Sequence, residues 1–382
     1  MADAPHLLHV FPSFEAGGSQ RRTTALMAGL GARYRHTVLS LSGDHGARTM
    51  LPEDFPLATV EWPGVRGFWR SQRAFGDVLR RTAPDLVCTY NWGAIEALIA
   101  ATRQLGLPAI HHEDGFGPDE VAGQKARRVW TRRVALRKAR AVCVPSHVLG
   151  DLAARTWKVP SHKLHVLANG VELERFGAPD RAERGAAFRA AHAIPKDAFV
   201  VGTVGTLRPE KNHVRFVRAL AQARAKAPEA AWHAVIVGEG AERPALEAAI
   251  AEAGLDGHVT LAGYLADCAP ALFAMDLFAL SSNTEQMPIS LVEAMAAHLP
   301  VTSTDVGDVA RMLPTGTDDL LIALDVADPA GSLAESWVAL AKDPTRRRTL
   351  GAAGRALAVE RYSVESMLAA YAERYDAALA KA

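Results

Sequence analysis

The chain has 382 residues, 49% of them hydrophobic and 22% charged, and a net charge of +1. That length allows two domains with sizeable cores, and the near-neutral balance gives no global reason to expect nucleic acid as a partner. Cys88, Cys143 and Cys268 are too widely spaced for a metal-ligand set or a disulfide framework, so a reducing cytoplasm is expected. No secretory leader is visible, and no apolar run reaches the roughly 18 residues of a membrane span.

Leu7–Phe11 predicts a first strand, followed by Ser13-Phe14-Glu15-Ala16-Gly17-Gly18-Ser19 and a helix through Leu26 and Leu30. Strand, Gly-rich loop and helix is the pattern of a phosphate-facing turn; two adjacent glycines equally mark a tight turn and nothing more. Further strands are expected at His36–Leu41, Ala58–Glu61, Leu86–Tyr90, Ala109–His112, Val142–Pro145 and His165–Leu167, with helical patterns between most of them. This alternation predicts an α/β fold with a mostly parallel sheet covered on both faces. Such sheets bind ligands outside the carboxyl ends of their strands. That rule points to Gly17-Gly18, to Tyr90-Asn91-Trp92 and to His111-His112-Glu113-Asp114-Gly115-Phe116-Gly117. The two His and two acids of the last segment could form an acid/base group or a hydrogen-bonded turn.

Gln124 to Arg140 carries Lys125, Arg127, Arg128, Arg132, Arg133, Arg137, Lys138 and Arg140, interspersed with Val129, Trp130, Val134 and Leu136. It reads as a basic helix on an anionic membrane surface or toward an anionic acceptor, or as the solvated face of an ordinary helix. The second reading is preferred, because the apolar residues form no single clean stripe.

Ala168-Asn169-Gly170-Val171-Glu172 breaks the periodicity, and a charged stretch with Gly and Pro runs on to Pro195, which marks a domain junction. A second alternating series follows, with strands expected at Phe199–Gly205, His233–Gly238, Val259–Ala262, Leu277–Leu280, Val301–Thr304 and Leu320–Leu324. Gly205-Thr206-Leu207-Arg208-Pro209-Glu210-Lys211-Asn212 leaves the first of these, and Arg208 and Lys211 could both reach a pyrophosphate; a surface loop with two solvated cations is the plainer alternative. Gly238-Glu239-Gly240 and Gly263-Tyr264 follow the next two strands as close-approach turns. After Leu277–Leu280 come Ser281-Ser282-Asn283, Glu285 in a loop, Pro288 in a first helical turn, and Glu293 on the helix. A strand, a loop and a helix start make an anion site, and carboxylates beside it suit sugar hydroxyls better than phosphate. From Tyr362 to Ala382 a helical pattern places Met367, Leu368, Tyr371 and Tyr375 on one side.

Several of these residues resemble a known family. Glu285-Gln286-Met287-Pro288-Ile289-Ser290-Leu291-Val292-Glu293 is similar to the E-x7-E motif of retaining GT-B glycosyltransferases, family four. Arg208 and Lys211 match the family's basic pair, Asn169-Gly170-Val171-Glu172 with Arg175-Phe176 its interdomain segment, and Gly17-Gly18 its first-loop glycines. Three departures stand out. Gln286 occupies a position where Gly is common, Asp114 stands where a His is often found, and Gly307-Asp308-Val309-Ala310 is atypical of the G-x-x-E segment.

The resemblance implies two Rossmann-like domains facing across a cleft. The first is 1–172, completed by a last helix in 360–382 that crosses back to it, and takes the acceptor. The second is 173–359 and takes the nucleotide-sugar donor. It further implies a metal-independent retaining hexosyl transfer with no cofactor and a UDP-sugar favoured over a GDP-sugar. The acceptor would be a glycan or lipid-linked glycan. Peripheral membrane contact through Lys125–Arg140 is the membrane reading of that basic stretch given above, and the expected location is the cytoplasm or the inner face of the plasma membrane. Glu285, Arg208, Lys211 and Asp114 would be catalytic. Gly17, Gly18, Gly205, Gly238, Tyr264, Met287, Pro288, Ile289 and Glu293 would join Arg208, Lys211 and Glu285 around the donor, and Asn91, His112 and Asp114 would face the acceptor. The sequence holds no D-x-D triplet, in keeping with two cations standing in for a metal. A nucleotide-sugar epimerase or phosphorylase, or a non-catalytic nucleotide-sugar binder, are the alternatives.

Overall fold

The computed structural model describes residues 4–65, 67–115, 120 and 123–380. The chain divides into two compact units, Met1–Gly170 with Val364–Ala382, and Val171–Ser363. Each is a Rossmann-like α/β layer structure built on a single parallel sheet.

The first unit has seven strands: β1 His6–Phe11, β2 Arg35–Ser40, β3 Leu57–Val60, β4 Leu86–Tyr90, β5 Ala109–His112, β6 Ala141–Val144 and β7 Leu164–Val166. Their order is β3-β2-β1-β4-β5-β6-β7. The inner strands β1, β4, β5 and β6 are buried at every position, as continuous apolar runs covered on both faces must be. One face packs Phe75, Val78, Leu98 and Leu136. The other packs Leu26 and Met27 against Met367, Tyr371 and Tyr375 of the last helix, Val364–Leu379. That helix therefore completes the first unit. Gly29 admits it closely, since a Cβ there would lie 2.5 Å from the Leu368 side chain.

The second unit has six strands: β8 Phe199–Val204, β9 Trp232–Val237, β10 Val259–Gly263, β11 Leu277–Leu280, β12 Val301–Thr304 and β13 Leu321–Ile322. Their order is β10-β9-β8-β11-β12-β13. Its core is centred on Phe216, Leu220, Trp232, Leu333 and Trp337. The last strand is only two residues long, against an expectation of Leu320–Leu324, because Leu320 closes a 3-10 turn, Asp318–Leu320.

Both sheets reverse direction at one place. In the first the chain leaves β1 toward β2 and returns on the other flank at β4; in the second it leaves β8 toward β9 and returns at β11. A crevice opens outside the carboxyl ends at such a switch point. By that rule the loops after β1 and β4, and after β8 and β11, are the places in each unit to look for a ligand.

Candidate functional site

In the second unit the switch-point loops are Gly205–Asn212 and Ser281–Pro288. Their side chains meet: Lys211 Nζ lies 2.6 Å from Glu285 Oε1, and the Ser282 hydroxyl donates to the same oxygen at 2.7 Å. Lys211 is 25% exposed and Glu285 9%, so a cation and a carboxylate stand at the rim of the crevice. Arg208 is half exposed, with its guanidinium 4.0 Å from the Glu210 carboxylate.

The two loops are laced together at the backbone. Asn283 N–H donates to Glu210 O at 2.7 Å, and the Ser281 hydroxyl donates to the carbonyls of Lys211 and Asn212. Arg215 sits behind both. Its guanidinium donates to Ser281 O at 2.8 Å, to Ser282 O at 3.3 Å and to Asn283 Oδ1 at 2.8 Å. Asn212 adopts a left-handed conformation, φ 46°, and its side chain caps helix His213–Lys226 through Arg215 N–H. A third loop closes from the side. Gly307, at φ 58°, lies so near that a Cβ would be 2.3 Å from Glu285 O, and Asp308 N–H donates to Gln286 O at 3.1 Å.

Gly238 is required by the same closeness. At φ 142°, a Cβ there would sit 2.0 Å from Gly205 O, inside any possible contact. A Cβ on Gly205 would lie 3.9 Å from Cε of Lys211, an ordinary contact. Tyr264, 60% exposed, follows Gly263 at the end of β10.

Helix Ile289–Ala296 starts one residue later than expected. Pro288 precedes it in an extended conformation, ψ 114°, rather than lying in its first turn. Met287 is buried. Glu293 points inward, 5% exposed, and accepts the Cys268 thiol at 3.6 Å. The neighbouring Asp267 is gripped by Arg175 at 2.7 Å. The Arg175-Phe176 segment thus lies within the second unit, behind Glu293.

In the first unit, Gly17 is extended, φ −159°, and precedes helix Gly18–Leu30, whose first turn carries no acidic residue. A Cβ on Gly18 would meet nothing within 4 Å, so open space lies before this helix start. Asn91 follows β4 at φ 55°. Its N–H donates to His112 O at 2.8 Å and its Oδ1 accepts Asp114 N–H at 2.7 Å, which ties the ends of β4 and β5 together. Both Asp114 oxygens meet the guanidinium of buried Arg22, Nη2 to Oδ2 at 3.0 Å. Arg22 lies 92 residues away, and nothing in the sequence signals the pairing.

The structure buries His112. It is 1% exposed, stacked 4.5 Å from Tyr90 and 5.8 Å from Tyr371. Burial and then the Arg22 charge hold its pKa well below the ordinary value. As placed, it is a neutral core residue and presents no surface to an acceptor, because β5 lies deep in a sheet covered on both sides. Asn91 and Asp114 keep partial exposure. Phe116 and Gly117 lie outside the described residues.

His111 and Glu113 are also fully buried, and Glu113 belongs to an internal charge network. Arg132 Nε donates to Glu113 at 3.2 Å, and its two other nitrogens to Glu120 at 3.2 and 3.1 Å. Arg128 adds a contact to Glu120 at 3.0 Å, and Trp92 and Trp157 face the Arg132 guanidinium. Burial opposes the Glu120 charge, but hydrogen bonds from Arg132 and Arg128 outweigh it and keep its pKa below the usual carboxylate range. The stretch read as a solvated basic face therefore turns one arginine fully inward.

Among the described residues no cluster of three His, Cys, Asp or Glu side chains is placed to hold a metal, and no helix is long and apolar enough to cross a membrane.

Comparisons with known proteins follow the same division. Residues 17–170 match a family model described as a glycosyl transferase 4-like domain, and 198–343 match one described as glycosyl transferases group 1. The chain is 27% identical over 239 residues to an alpha-D-kanosaminyltransferase of Streptomyces kanamyceticus, covering 62% of this chain and 60% of that protein. It is 30% identical over 277 residues to a GDP-mannose-dependent alpha-mannosyltransferase of Mycobacterium tuberculosis, covering 70% and 66%. The match thus spans somewhat less than two thirds of these relatives' own length. In structure it is similar to Anabaena Alr3699/HepE, solved in complex with UDP and glucose, with a TM-score of 0.83 at 20% identity over 97% of this chain and 99% of that one.

Proposed function

From the premise that this chain belongs to the glycosyltransferases of GT-B fold and GT4 type, we propose that it moves a hexosyl group from a nucleoside-diphosphate sugar to an acceptor hydroxyl with retention of anomeric configuration. The observation that carries this reading is the meeting of Lys211 and Glu285, 74 residues apart, at the switch point of the second sheet. A phosphate needs cations and a helix start; a sugar needs a carboxylate that accepts its hydroxyls; here both stand within one hydrogen bond of each other.

In this proposal Lys211 and Arg208 take the diphosphate, and the backbone N–H groups of Met287 and Ile289 face it; Pro288 has none to give. Gly205 and Gly238 let backbone approach the donor closely, and Tyr264 offers an exposed ring beside it. Glu285 accepts hydroxyls of the donor sugar and Glu293 those of the ribose. The bond from the anomeric carbon to the diphosphate breaks as the bond to the acceptor oxygen forms on the same face. The acceptor proton passes to the departing diphosphate oxygen. Catalysis is then positioning and charge stabilisation by two cations, with no metal required. Asn91 and Asp114 serve the acceptor, a glycan or lipid-linked glycan. Asp114 does so as a hydrogen-bond acceptor, since both of its oxygens already answer to Arg22. Three buried thiols that pair with no other cysteine suit a reducing cytoplasm.

UDP-sugar is the proposed donor. Anabaena Alr3699/HepE was solved with UDP, while the mycobacterial relative is named for GDP-mannose, so the base is open to test. A thermal-shift screen against UDP-, GDP-, ADP- and CMP-sugars identifies the donor, since only a ligand of the folded state raises Tm. NMR of the product then reads the anomer. Inverted product overturns retention. Isomerised donor, or tight donor binding without turnover on any glycan or lipid acceptor, overturns transfer itself.

A further inference from the structure

Glu285 does not present its two carboxylate oxygens alike. Oε1 accepts both Lys211 Nζ, at 2.6 Å, and the Ser282 hydroxyl, at 2.7 Å. Oε2 has no hydrogen-bond partner among the described residues and reaches solvent. A carboxylate tied through one oxygen keeps one orientation, and the other oxygen is left to accept a ligand hydroxyl.

The two donors to Oε1 are not equivalent. Lys211 is 25% exposed, sits on a flexible four-carbon stem, and keeps two N–H donors beyond the one given to Glu285. A diphosphate arriving at the rim competes for that ammonium group. Ser282 has no such freedom. It is 1% exposed and lies just past the end of β11. Its carbonyl is held from two sides, by the Thr304 hydroxyl at 2.7 Å and by the Arg215 guanidinium at 3.3 Å. Thr304 ends β12, which lies beside β11 in the sheet, so the sheet itself fixes where the Ser282 hydroxyl stands. The neighbouring Ser281 serves a different end: its hydroxyl donates to the carbonyls of Lys211 and Asn212.

We propose that Ser282 is a positioning residue for sugar transfer. Its hydroxyl holds Glu285 Oε1 while Lys211 turns to the diphosphate, so that Oε2 stays aimed at the hydroxyls of the donor sugar. Ser282 touches no substrate and acts only through Glu285. The inference rests on the reading of Lys211 and Glu285 as donor residues and adds the group that keeps the carboxylate in place once the cation is drawn away.

Wild type, Ser282→Ala, Glu285→Ala and the double variant are assayed for kcat and donor KM. The assay reads release of nucleotide from whichever of the UDP-, GDP-, ADP- and CMP-sugars raises Tm. Ser282→Ala is expected to lower kcat about tenfold or more, the worth of a hydrogen bond to a charged group. Donor KM and Tm should be nearly unchanged, the pattern of an interaction that matters in the transition state. In the Glu285→Ala background the same substitution should cost nothing further, because a group that acts through Glu285 is silent without it. An equal fall in both backgrounds overturns the proposal, since Ser282 would then act independently of Glu285. Unchanged kcat in Ser282→Ala, beside a slow Glu285→Ala, overturns it too and leaves the donor reading standing. Normal turnover of Glu285→Ala removes the donor reading and this inference with it.

Discussion

The two units share one architecture and fasten their switch points with different proportions of backbone and side-chain bonds. In the second, the loops after β8, β9, β11 and β12 are held backbone to backbone, by Asn283 on Glu210, Leu207 on Glu239 and Asp308 on Gln286, with glycines at 238 and 307 allowing the approach. Its functional side chains lie at the rim. In the first, the strand ends are held largely by side chains: Arg22 on Asp114, Asn91 on the Asp114 amide, and Arg132 on Glu113 and Glu120. Arg215 and Ser281 brace the second unit's loops as well, while Lys211 and Glu285 pair at the rim; in the first unit the strand-end charges are taken up by one another. Under the proposed function this difference would suit a donor site that demands fixed geometry and an acceptor side built from what remains.

The sharpest way to break that comparison is through the rim pair. Lys211→Ala and Glu285→Gln are each expected to lower kcat/KM by about a hundredfold or more, as loss of one charge-stabilising group does, with Tm nearly unchanged; near-normal turnover in either would remove the donor assignment. Gly238→Ala tests the backbone fastening. It forces a Cβ toward the Gly205 carbonyl at an unfavourable φ, and a loss of about 3 kcal/mol in denaturant unfolding is expected, along with activity. A stable, active variant would show that the loops can separate.

Asp114→Asn probes side-chain fastening. It removes the charge facing buried Arg22, and a loss of about 1–3 kcal/mol is expected, with a smaller fall in turnover than at Glu285. The bell of the pH–rate profile should keep its position; a lost limb would make Asp114 a general base after all.

The smallest effect is a gradient of acid stability. In the first unit His36 is held at a pKa of about 4 by burial and then by His6, and burial and then neighbouring charge hold His9 and His112 well below the ordinary value. His9 bonds Tyr90 at 2.9 Å and His36 at 3.0 Å. In the second unit His213 and His233 are likewise lowered to about 4. Each such group binds a proton more readily when unfolded, so its contribution is whole above about pH 6.5 and is lost as pH falls from there toward 4. The first unit buries more of them in one cluster. Hydrogen exchange at pH 5 should therefore deprotect amides of β1, β2 and β4 before those of β8 and β9. Equal loss in both units would contradict the assignment of acid sensitivity to the histidine cluster.

Local pattern carried much of this protein. Strand positions fall within a residue of expectation at nearly every site, because buried parallel strands are short apolar runs bounded by loop residues. The order of loops along the chain pointed to Lys211, Glu285 and the glycines. What the pattern could not carry is direction and pairing. His111-His112-Glu113 looks like an exposed catalytic string and is buried, since a central strand hides both of its faces. Arg132 looks like one more solvated cation and is internal. Arg215 and Ser282, which hold the Glu285 loop, and Arg22, which holds Asp114, carry no sequence signal, because their partners lie 66 to 92 residues away or on the far side of a turn.

The sequence by itself determined two α/β series, their junction and the loops at the carboxyl ends of the strands, since period and punctuation are local properties of the chain. Only the tertiary structure decided which charges meet. An ion pair is fixed by where strands lie side by side in a sheet, and that order, β1 beside β4 and β8 beside β11, is not the order of the chain.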